Sequence, residues 1–119
     1  MDEYVMYHKT NCNTSITALK ELKALGIKPK LRLYLEDVPT AKELGELLKK
    51  MGIPVSQLIR TKEPLYKDTY ANKKLTKAQW LKILSENPIL IDRPILIKGD
   101  NAAFAKPVDN MAEIVRSLA

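Results

Sequence analysis

The chain has 119 residues, of which 45% are hydrophobic and 29% are charged, and this length and balance fit one globular domain over residues 1–119. They exclude disordered, collagen-like and low-complexity proteins. Twenty Lys and Arg against fourteen Asp and Glu give a net charge of +6, which favours anionic ligands or acidic partner surfaces without choosing between them.

The chain contains a single cysteine, which excludes an intramolecular disulfide and leaves too few thiolates for a structural zinc site. We therefore expect no metal and no bound cofactor. The acidic N-terminus lacks the features of a secretion signal, and no apolar run reaches the roughly 20 residues of a membrane-spanning helix. These observations predict a cytoplasmic protein with no membrane association.

The first third of the chain predicts a strand, a helix and a second strand. Residues 4–8 form a β-rich run, and the polar residues 9–13 have loop composition. From Ser15 to a C-capping Gly26, helical spacing relates four apolar residues, Ile16, Leu19, Leu22 and Leu25. After Pro29, an alternating pattern predicts a strand with the leucines Leu31, Leu33 and Leu35. A helix joining two strands predicts a right-handed parallel βαβ unit.

Helices dominate the middle of the chain. Thr40 and Glu43 form a capping box that opens an apolar helical stripe ending at Gly52, with Leu44, Leu47, Leu48 and Met51. Residues 54–59 favour a short helical turn, and residues 61–74 have no convincing period, so we expect them to be irregular. Thr76 and Gln79 form a second capping box, and the helix that follows ends before Asn87-Pro88.

The last third predicts an antiparallel hairpin and a closing helix. Residues 95–97 and 102–104 flank a turn-rich connection, and helical spacing then relates Met111, Ile114, Val115 and Leu118. The complete order is that of an α/β thioredoxin-like, or glutaredoxin-like, fold. We therefore predict a mixed four-stranded sheet with a helical insertion, about residues 37–92, between its βαβ and ββα halves.

Cys12 is the candidate nucleophile. It lies in the loop before the first helix, where unpaired backbone N–H groups and the helix dipole stabilise an anion and lower the pKa of a thiol. A lone cysteine can equally be a small buried apolar residue, although its polar neighbours argue against that interpretation. Ser15 occupies the place of the resolving cysteine in a dithiol oxidoreductase, so we expect it to be a structural residue at the site. Disulfide chemistry would then need an external thiol such as glutathione.

Four other side chains are candidates for the same site. His8 precedes Cys12 by four residues and could stabilise its thiolate, or it could only complete a hydrogen-bond pattern at the strand end. Three cations fall near the ends of predicted elements, Arg60, Arg93 and Lys106. Guanidinium groups beside a thiolate would form an oxyanion site, whereas most surface Arg and Lys residues only face solvent.

Three segments together resemble the glutaredoxin-coupled arsenate reductase family. They are Tyr7-His8 with Cys12-Asn13-Thr14-Ser15, Leu58-Ile59-Arg60-Thr61-Lys62-Glu63, and Asn87-Pro88-Ile89-Leu90-Ile91-Asp92-Arg93-Pro94-Ile95. The resemblance runs from about Tyr4 to Leu118, with the family's order and separations.

The resemblance implies a cysteine thiolate that attacks arsenate or another small oxyanion, glutathione as co-substrate, and glutaredoxin as reductant. By position, Cys12 would be the nucleophile, His8 the residue that favours its thiolate, and Arg60 and Arg93 the groups that bind the oxyanion. Pro94 matches the proline that thioredoxin-like folds hold in the cis form beside the active cysteine.

Two positions depart from the family pattern. The pattern has an arginine four residues after the cysteine, where this chain has Ile16, and another before a late proline, where it has Lys106. Lysine keeps the charge but loses the planar fork of arginine. We expect both changes to raise the pKa of the Cys12 thiol and to loosen the bound oxyanion.

Two alternatives stay open. Some members of the family are regulators that bind RNA polymerase and sense redox state through a Cys-x-x-Cys switch, which Ser15 removes here, leaving a binding module for an acidic partner surface. In the other alternative, Cys12 forms a mixed disulfide with glutathione and serves thiol exchange, with the arginines recognising a carboxylate. Direct binding of nucleic acid is not expected, because only 6% of the residues are aromatic and no recognised module is visible.

Overall fold

A computed structural model describes residues 3–118, which divide into two compact units. The first unit comprises residues 3–37 and 93–118, and the second comprises residues 38–92. That the whole chain forms one domain stays a prediction. Met1 and Asp2 lie outside the described residues. They begin the acidic N-terminus for which no secretion signal is predicted.

The regular elements follow the predicted order along the chain. The strands are β1 (Tyr4–Tyr7), β2 (Lys30–Arg32), β3 (Ile95–Lys98) and β4 (Asn101–Phe104). The α-helices are α1 (Asn13–Ala24), α2 (Ala41–Met51), α3 (Lys77–Glu86) and α4 (Met111–Leu118). Within residues 3–118, no helix combines the length and the apolar character needed to cross a membrane.

The first unit contains a mixed four-stranded sheet in the order β2-β1-β3-β4. β1 is parallel to β2 and antiparallel to β3, and β3 and β4 form the predicted antiparallel hairpin. Met6 in the central strand β1 lies opposite Leu31 on one side and Leu96 on the other. The predicted thioredoxin-like α/β fold is therefore confirmed.

Helices α1 and α4 pack together with the central strands in one hydrophobic core. Its fully or almost fully buried members are Met6, Ala18, Leu22, Leu96, Ala105, Met111 and Leu118. Tyr4 and Val115 are among the partly buried side chains that pack against this core. Since both central strands contribute to it, the core fixes the end of β1 that leads to Cys12.

Burial in the first unit differs from the predicted apolar pattern. The buried face of α1 consists of Ser15, Ala18 and Leu22, while Leu25, predicted to belong to it, is 46% exposed because the helix ends at Ala24. The predicted second strand is also shorter. Its ladder ends at Arg32, since the chain turns where the N–H groups of residues 36 and 37 bond to the Leu33 carbonyl.

Leu31 and Leu35 are exposed, at 40% and 36%, whereas Tyr34 between them is fully buried. The Tyr34 ring stacks on Tyr7 of β1, with centroids 6.0 Å apart and the planes 16° from parallel. β2 lies at the edge of the described sheet, so no neighbouring strand encloses its Leu31 on the outer side, and Leu35 lies beyond the end of β2. The large aromatic ring, rather than the leucines, is therefore the buried group at the end of this segment.

The second unit contains both predicted capping boxes. Thr40 accepts a hydrogen bond from the Glu43 N–H at 3.1 Å, and the Glu43 carboxylate accepts one from the Thr40 N–H at 3.1 Å. Thr76 and Gln79 form the same reciprocal pair at the start of α3. α2 ends at Met51, and its C-cap residue Gly52 takes the left-handed conformation with φ 66°. The two helix starts are thus confirmed.

The segment predicted to be irregular, residues 61–74, contains a π-helical turn over Tyr66–Tyr70. The Ala71 N–H donates to the Tyr66 carbonyl at 2.8 Å, and both tyrosine rings pack on Trp80, with centroids 6.3 and 5.7 Å away. A π-helical turn has neither the 3.6-residue nor the two-residue period. That is why periodicity did not indicate it.

The contrast between the buried Leu22 in α1 and the exposed Leu25 just after the helix leads to a stability prediction. We expect Leu22→Ala to lower the free energy of unfolding by about 2–5 kcal/mol, because it removes a fully buried side chain from the core. The matched control is Leu25→Ala, which truncates an exposed leucine three residues later and should change it by less than about 0.5 kcal/mol. Urea unfolding of both variants checks this, and equal losses would contradict the core assignment.

Candidate active site

Cys12 is the N-cap residue of α1. Its backbone is extended, with φ −110° and ψ 120°, and its carbonyl accepts the first helical hydrogen bond from the Ile16 N–H at 2.9 Å. Its own N–H donates to the Lys9 carbonyl at 3.2 Å, so residues 9–12 form a turn between β1 and the helix. This turn places a partly exposed thiol at the positive end of the helix dipole.

The surroundings of Cys12 lower the pKa of its thiol from 9.0 to about 7. Burial alone raises this pKa, but the backbone N–H of Ser15, the Arg93 guanidinium and the Ser15 hydroxyl outweigh it. The thiol makes no aligned capping hydrogen bond to the helix, so the Ser15 groups act on it as nearby dipoles. At neutral pH, Cys12 is therefore ionised in a large fraction of the molecules.

The contribution of Ser15 is the part of the site that sequence reasoning missed. The sequence placed Ser15 at the site as a structural residue in the position of a second cysteine, but it did not indicate that Ser15 lowers the pKa of the thiol. In the structure it is fully buried, and its Oγ makes no aligned hydrogen bond to any group within residues 3–118. The third residue after an N-cap directs its N–H toward the capping side chain. Because Cys12 precedes the predicted helix, this rule could have indicated that the Ser15 N–H points toward the Cys12 thiol.

Arg93 reaches Cys12 because of the strand register. Tyr7 at the end of β1 lies opposite Ile95 at the start of β3, so residues 93 and 94 lie at the end of the sheet from which the Cys12 loop leaves. Arg93 is only 5% exposed, and it lowers the pKa of the thiol by hydrogen bonding and by its charge. The Arg93–Pro94 peptide bond is cis, the form that the resemblance implies for this proline.

His8 is buried, with 5% of its surface exposed, and continues the β1–β2 ladder through its N–H, which donates to the Arg32 carbonyl at 3.0 Å. Burial lowers the pKa of its imidazole, which favours the neutral ring. Within residues 3–118, the groups that shift the pKa of Cys12 do not include His8. Its predicted support of the thiolate stays a prediction, and a neutral ring could give it only through a hydrogen bond.

The remaining predicted cations have other partners. Arg60 belongs to the second unit, where its Nε lies 3.3 Å from a Glu63 oxygen and one Nη lies 4.0 Å from Asp92. The Nζ atom of Lys106 lies 5.1 Å from the centroid of the Phe104 ring in the first unit. The site observed within the first unit is therefore Cys12 with Ser15 and Arg93, and the oxyanion-binding roles of Arg60 and Lys106 stay predictions.

A thiolate beside a buried guanidinium can attack an electrophile and bind an anion at the same place. The fixed positive charge stabilises both the thiolate and negative charge that develops on an oxyanion bonded to it. No group of three or more His, Cys, Asp or Glu side chains within residues 3–118 is arranged to hold a metal ion. The thiolate and the guanidinium together support nucleophilic attack by sulfur.

Several known proteins are similar to this chain over most of its length. Residues 7–114 match the model of the ArsC family. An arsenate reductase from Haemophilus influenzae is 39% identical over 113 residues, covering 93% of this chain and 97% of that protein. An arsenate reductase from Escherichia coli is 34% identical over 116 residues, covering 97% of this chain and 82% of that protein. The solved structure of an arsenate reductase from Vibrio cholerae has a TM-score of 0.87 at 32% identity, covering 95% of this chain and 98% of that one.

Proposed function

The chain belongs to the ArsC family, and from that premise we propose that it is an arsenate reductase in which the Cys12 thiolate attacks the oxyanion. The observation that carries this proposal is the lowered pKa of the Cys12 thiol beside the buried Arg93. An ordinary thiol is a weak nucleophile at neutral pH because little of it is ionised. Arsenate is an anion, so its approach also needs a fixed positive charge.

The proposed reaction has three steps. The Cys12 sulfur bonds to arsenic, and one arsenate oxygen, taking up protons, leaves as water. A glutathione thiol then bonds to the same arsenic and releases a second oxygen as water. A glutaredoxin thiol finally attacks the glutathione sulfur, so the electron pair of the arsenic–sulfur bond reduces arsenic from the +5 to the +3 state. The mixed disulfide of glutaredoxin and glutathione is one product. Water then breaks the bond between arsenic and the Cys12 sulfur, which releases arsenite and restores the thiol.

Arg93 has two roles in this proposal. It stabilises the thiolate before the attack, and it binds the arsenate oxygens through a planar fork that fits a tetrahedral oxyanion. Arg60 and Lys106 keep their predicted roles as further cations for the oxyanion. The Glu63 and Asp92 carboxylates beside Arg60 hold its side chain and reduce its net field. We therefore assign the largest contribution to Arg93.

Thiol exchange with glutathione is a second candidate function. Cys12 is the single cysteine of the chain, so a mixed disulfide between Cys12 and glutathione has no second thiol in the chain to resolve it. A partly exposed thiol with a pKa of about 7 exchanges readily with small disulfides at neutral pH. This function would use the same thiolate with glutathione disulfide in place of arsenate. Binding to RNA polymerase stays a prediction from the family resemblance.

The test is arsenite formation by the purified protein with arsenate, glutathione and glutaredoxin, with an active arsenate reductase as positive control. We expect turnover only when both thiol components are present, since each supplies one sulfur of the mixed disulfide whose formation provides the two electrons that reduce arsenic. Omission of either component should reduce the rate to the background without protein. No turnover in the complete mixture, with the control active, would contradict the proposed function.

A further inference from the structure

A cavity of about 250 Å³ lies beside the Cys12 turn within the first unit. Its wall is formed by the four residues before Cys12 and by the segment after β2; the lining residues are His8, Lys9, Thr10, Asn11, Leu33, Leu35 and Glu36. Because Cys12 donates its N–H to the Lys9 carbonyl, its Cα is within about 7 Å of the Lys9 Cα. The cavity therefore adjoins the turn that carries Cys12.

The cavity presents two opposite charges. Lys9 supplies a cation and Glu36 an anion, and within residues 3–118 neither side chain takes part in an ion pair. Leu33 and Leu35 add apolar surface to the same wall. A ligand that fits these charges carries both a carboxylate and an ammonium group, joined by a short apolar stem.

The buried side of the wall also carries an unpartnered polar group. His8 is 5% exposed, and its Nδ1 atom has no hydrogen-bond partner among residues 3–118. Buried polar atoms are almost always hydrogen-bonded, so an unpartnered atom on a residue that lines a cavity leaves a hydrogen bond that a ligand can supply. Together with the two charges, it distinguishes this cavity from an incidental surface depression.

We infer that this cavity binds the γ-glutamyl head of glutathione, with the head's carboxylate at Lys9, its ammonium at Glu36 and its methylene groups on Leu33 and Leu35. Pockets for drug-sized ligands measure about 300–1,000 Å³, so a cavity of this size suits one end of a tripeptide rather than the whole molecule. The cysteinyl sulfur of the bound peptide would then extend toward Cys12. The inference rests on the proposed function, in which glutathione reacts at Cys12.

Thiol–disulfide exchange tests this inference without arsenate. The Cys12 thiolate attacks glutathione disulfide, the disulfide bond of the reagent breaks, a bond forms between Cys12 and one glutathione, and the other leaves as a thiolate. We expect Lys9→Gln and Glu36→Gln each to slow this reaction about threefold and the double variant about tenfold, as expected for one and two partly exposed ion pairs. Mass spectrometry of the adduct gives the rate.

Two comparisons isolate the γ-glutamyl head. Bis-γ-glutamylcystine keeps the head and should show the same losses, whereas hydroxyethyl disulfide lacks it and should react equally with all variants. A smaller thiolate fraction would slow the reaction with every reagent. The rate with hydroxyethyl disulfide therefore also corrects for any shift in the pKa of Cys12. The matched control variants are Glu3→Gln and Lys28→Gln, which remove the same charges from another cavity of the first unit and should leave all rates unchanged.

Selective slowing with the two γ-glutamyl reagents supports the inference. Equal slowing with all three reagents, no slowing with any, or no adduct on the unaltered protein would overturn it. The outcome is separate from that of the proposed function. Selective slowing without arsenate turnover would leave the cavity assignment in place, and turnover with unselective rates would remove only the cavity assignment.

Discussion

Replacing Cys12 with serine is expected to lower kcat/KM for arsenate reduction by on the order of a thousandfold or more. A serine hydroxyl stays protonated at neutral pH, even beside Ser15 and Arg93, so no nucleophile is available for the bond to arsenic. The measurement is arsenite formation in the complete glutathione and glutaredoxin mixture. Since no other cysteine is present in the chain, no second thiol can take over the reaction.

The loss must come from chemistry rather than from unfolding. Cys12 is partly exposed at a helix start, where serine is a favoured N-cap residue, so Cys12→Ser should melt at or above the temperature of the unaltered protein. Cys12→Ala should lose the same activity without the capping hydroxyl. Arsenate turnover retained by the serine variant at the unaltered rate would contradict the assignment of Cys12 as nucleophile.

Replacing Arg93 with alanine is expected to lower kcat/KM about a hundredfold, the size seen when one preorganised oxyanion donor is removed. The variant loses the guanidinium that lowers the pKa of Cys12 and that we propose binds the oxyanion. Arg93→Lys keeps the charge without the planar fork, so its loss should be smaller than that of alanine. Steady-state kinetics with arsenate at fixed glutathione and glutaredoxin gives both values.

The matched control for Arg93 is Arg116→Ala, which removes an exposed arginine from α4 in the same unit. Arg116→Ala and Arg93→Ala change the net charge of the protein by the same amount, but only Arg93→Ala removes the charge beside the thiol. Arg116→Ala should therefore leave kcat/KM unchanged. Thermal melting identifies any variant that has lost its fold. Equal activity of Arg93→Lys, Arg93→Ala and the unaltered protein would contradict a role for this side chain at the site.

Features that depend on a few neighbouring residues could be predicted from the sequence. The capping boxes at Thr40 and Thr76 are of this kind, since cap and partner are three residues apart and both groups are named by the sequence. The hairpin of β3 and β4 follows from two short apolar runs around a turn-rich connection. The order of these local signals was enough to indicate the thioredoxin-like sheet.

Features that depend on burial could not be predicted in the same way. Leu25 and Leu31 are exposed although their spacing matches an apolar face, whereas Ser15 and Tyr34 are fully buried although they are polar. Burial depends on which strand lies at the sheet edge and on where a helix ends relative to the core. Neither fact is contained in the hydropathy of a single segment.

The candidate site shows the same division. Cys12 at a helix start follows from local pattern, but its pairing with Arg93 depends on the register between β1 and β3, which are about 90 positions apart in the chain. Ile16, in place of the family's arginine, led to the expectation of a raised pKa for the Cys12 thiol. In the structure, the pKa of Cys12 is still lowered, because Ser15 and Arg93 outweigh the effect of burial.

The measurement that most directly tests the account is a pH titration of the Cys12 thiolate by its ultraviolet absorbance, with Cys12→Ser as the blank. The chain has one cysteine, so the signal belongs to a single group. The thiolate fraction should rise with pH through a midpoint of about 7. A midpoint at or above 9.0 would mean that Ser15 and Arg93 do not stabilise the thiolate, and it would contradict Cys12 as a nucleophile at neutral pH.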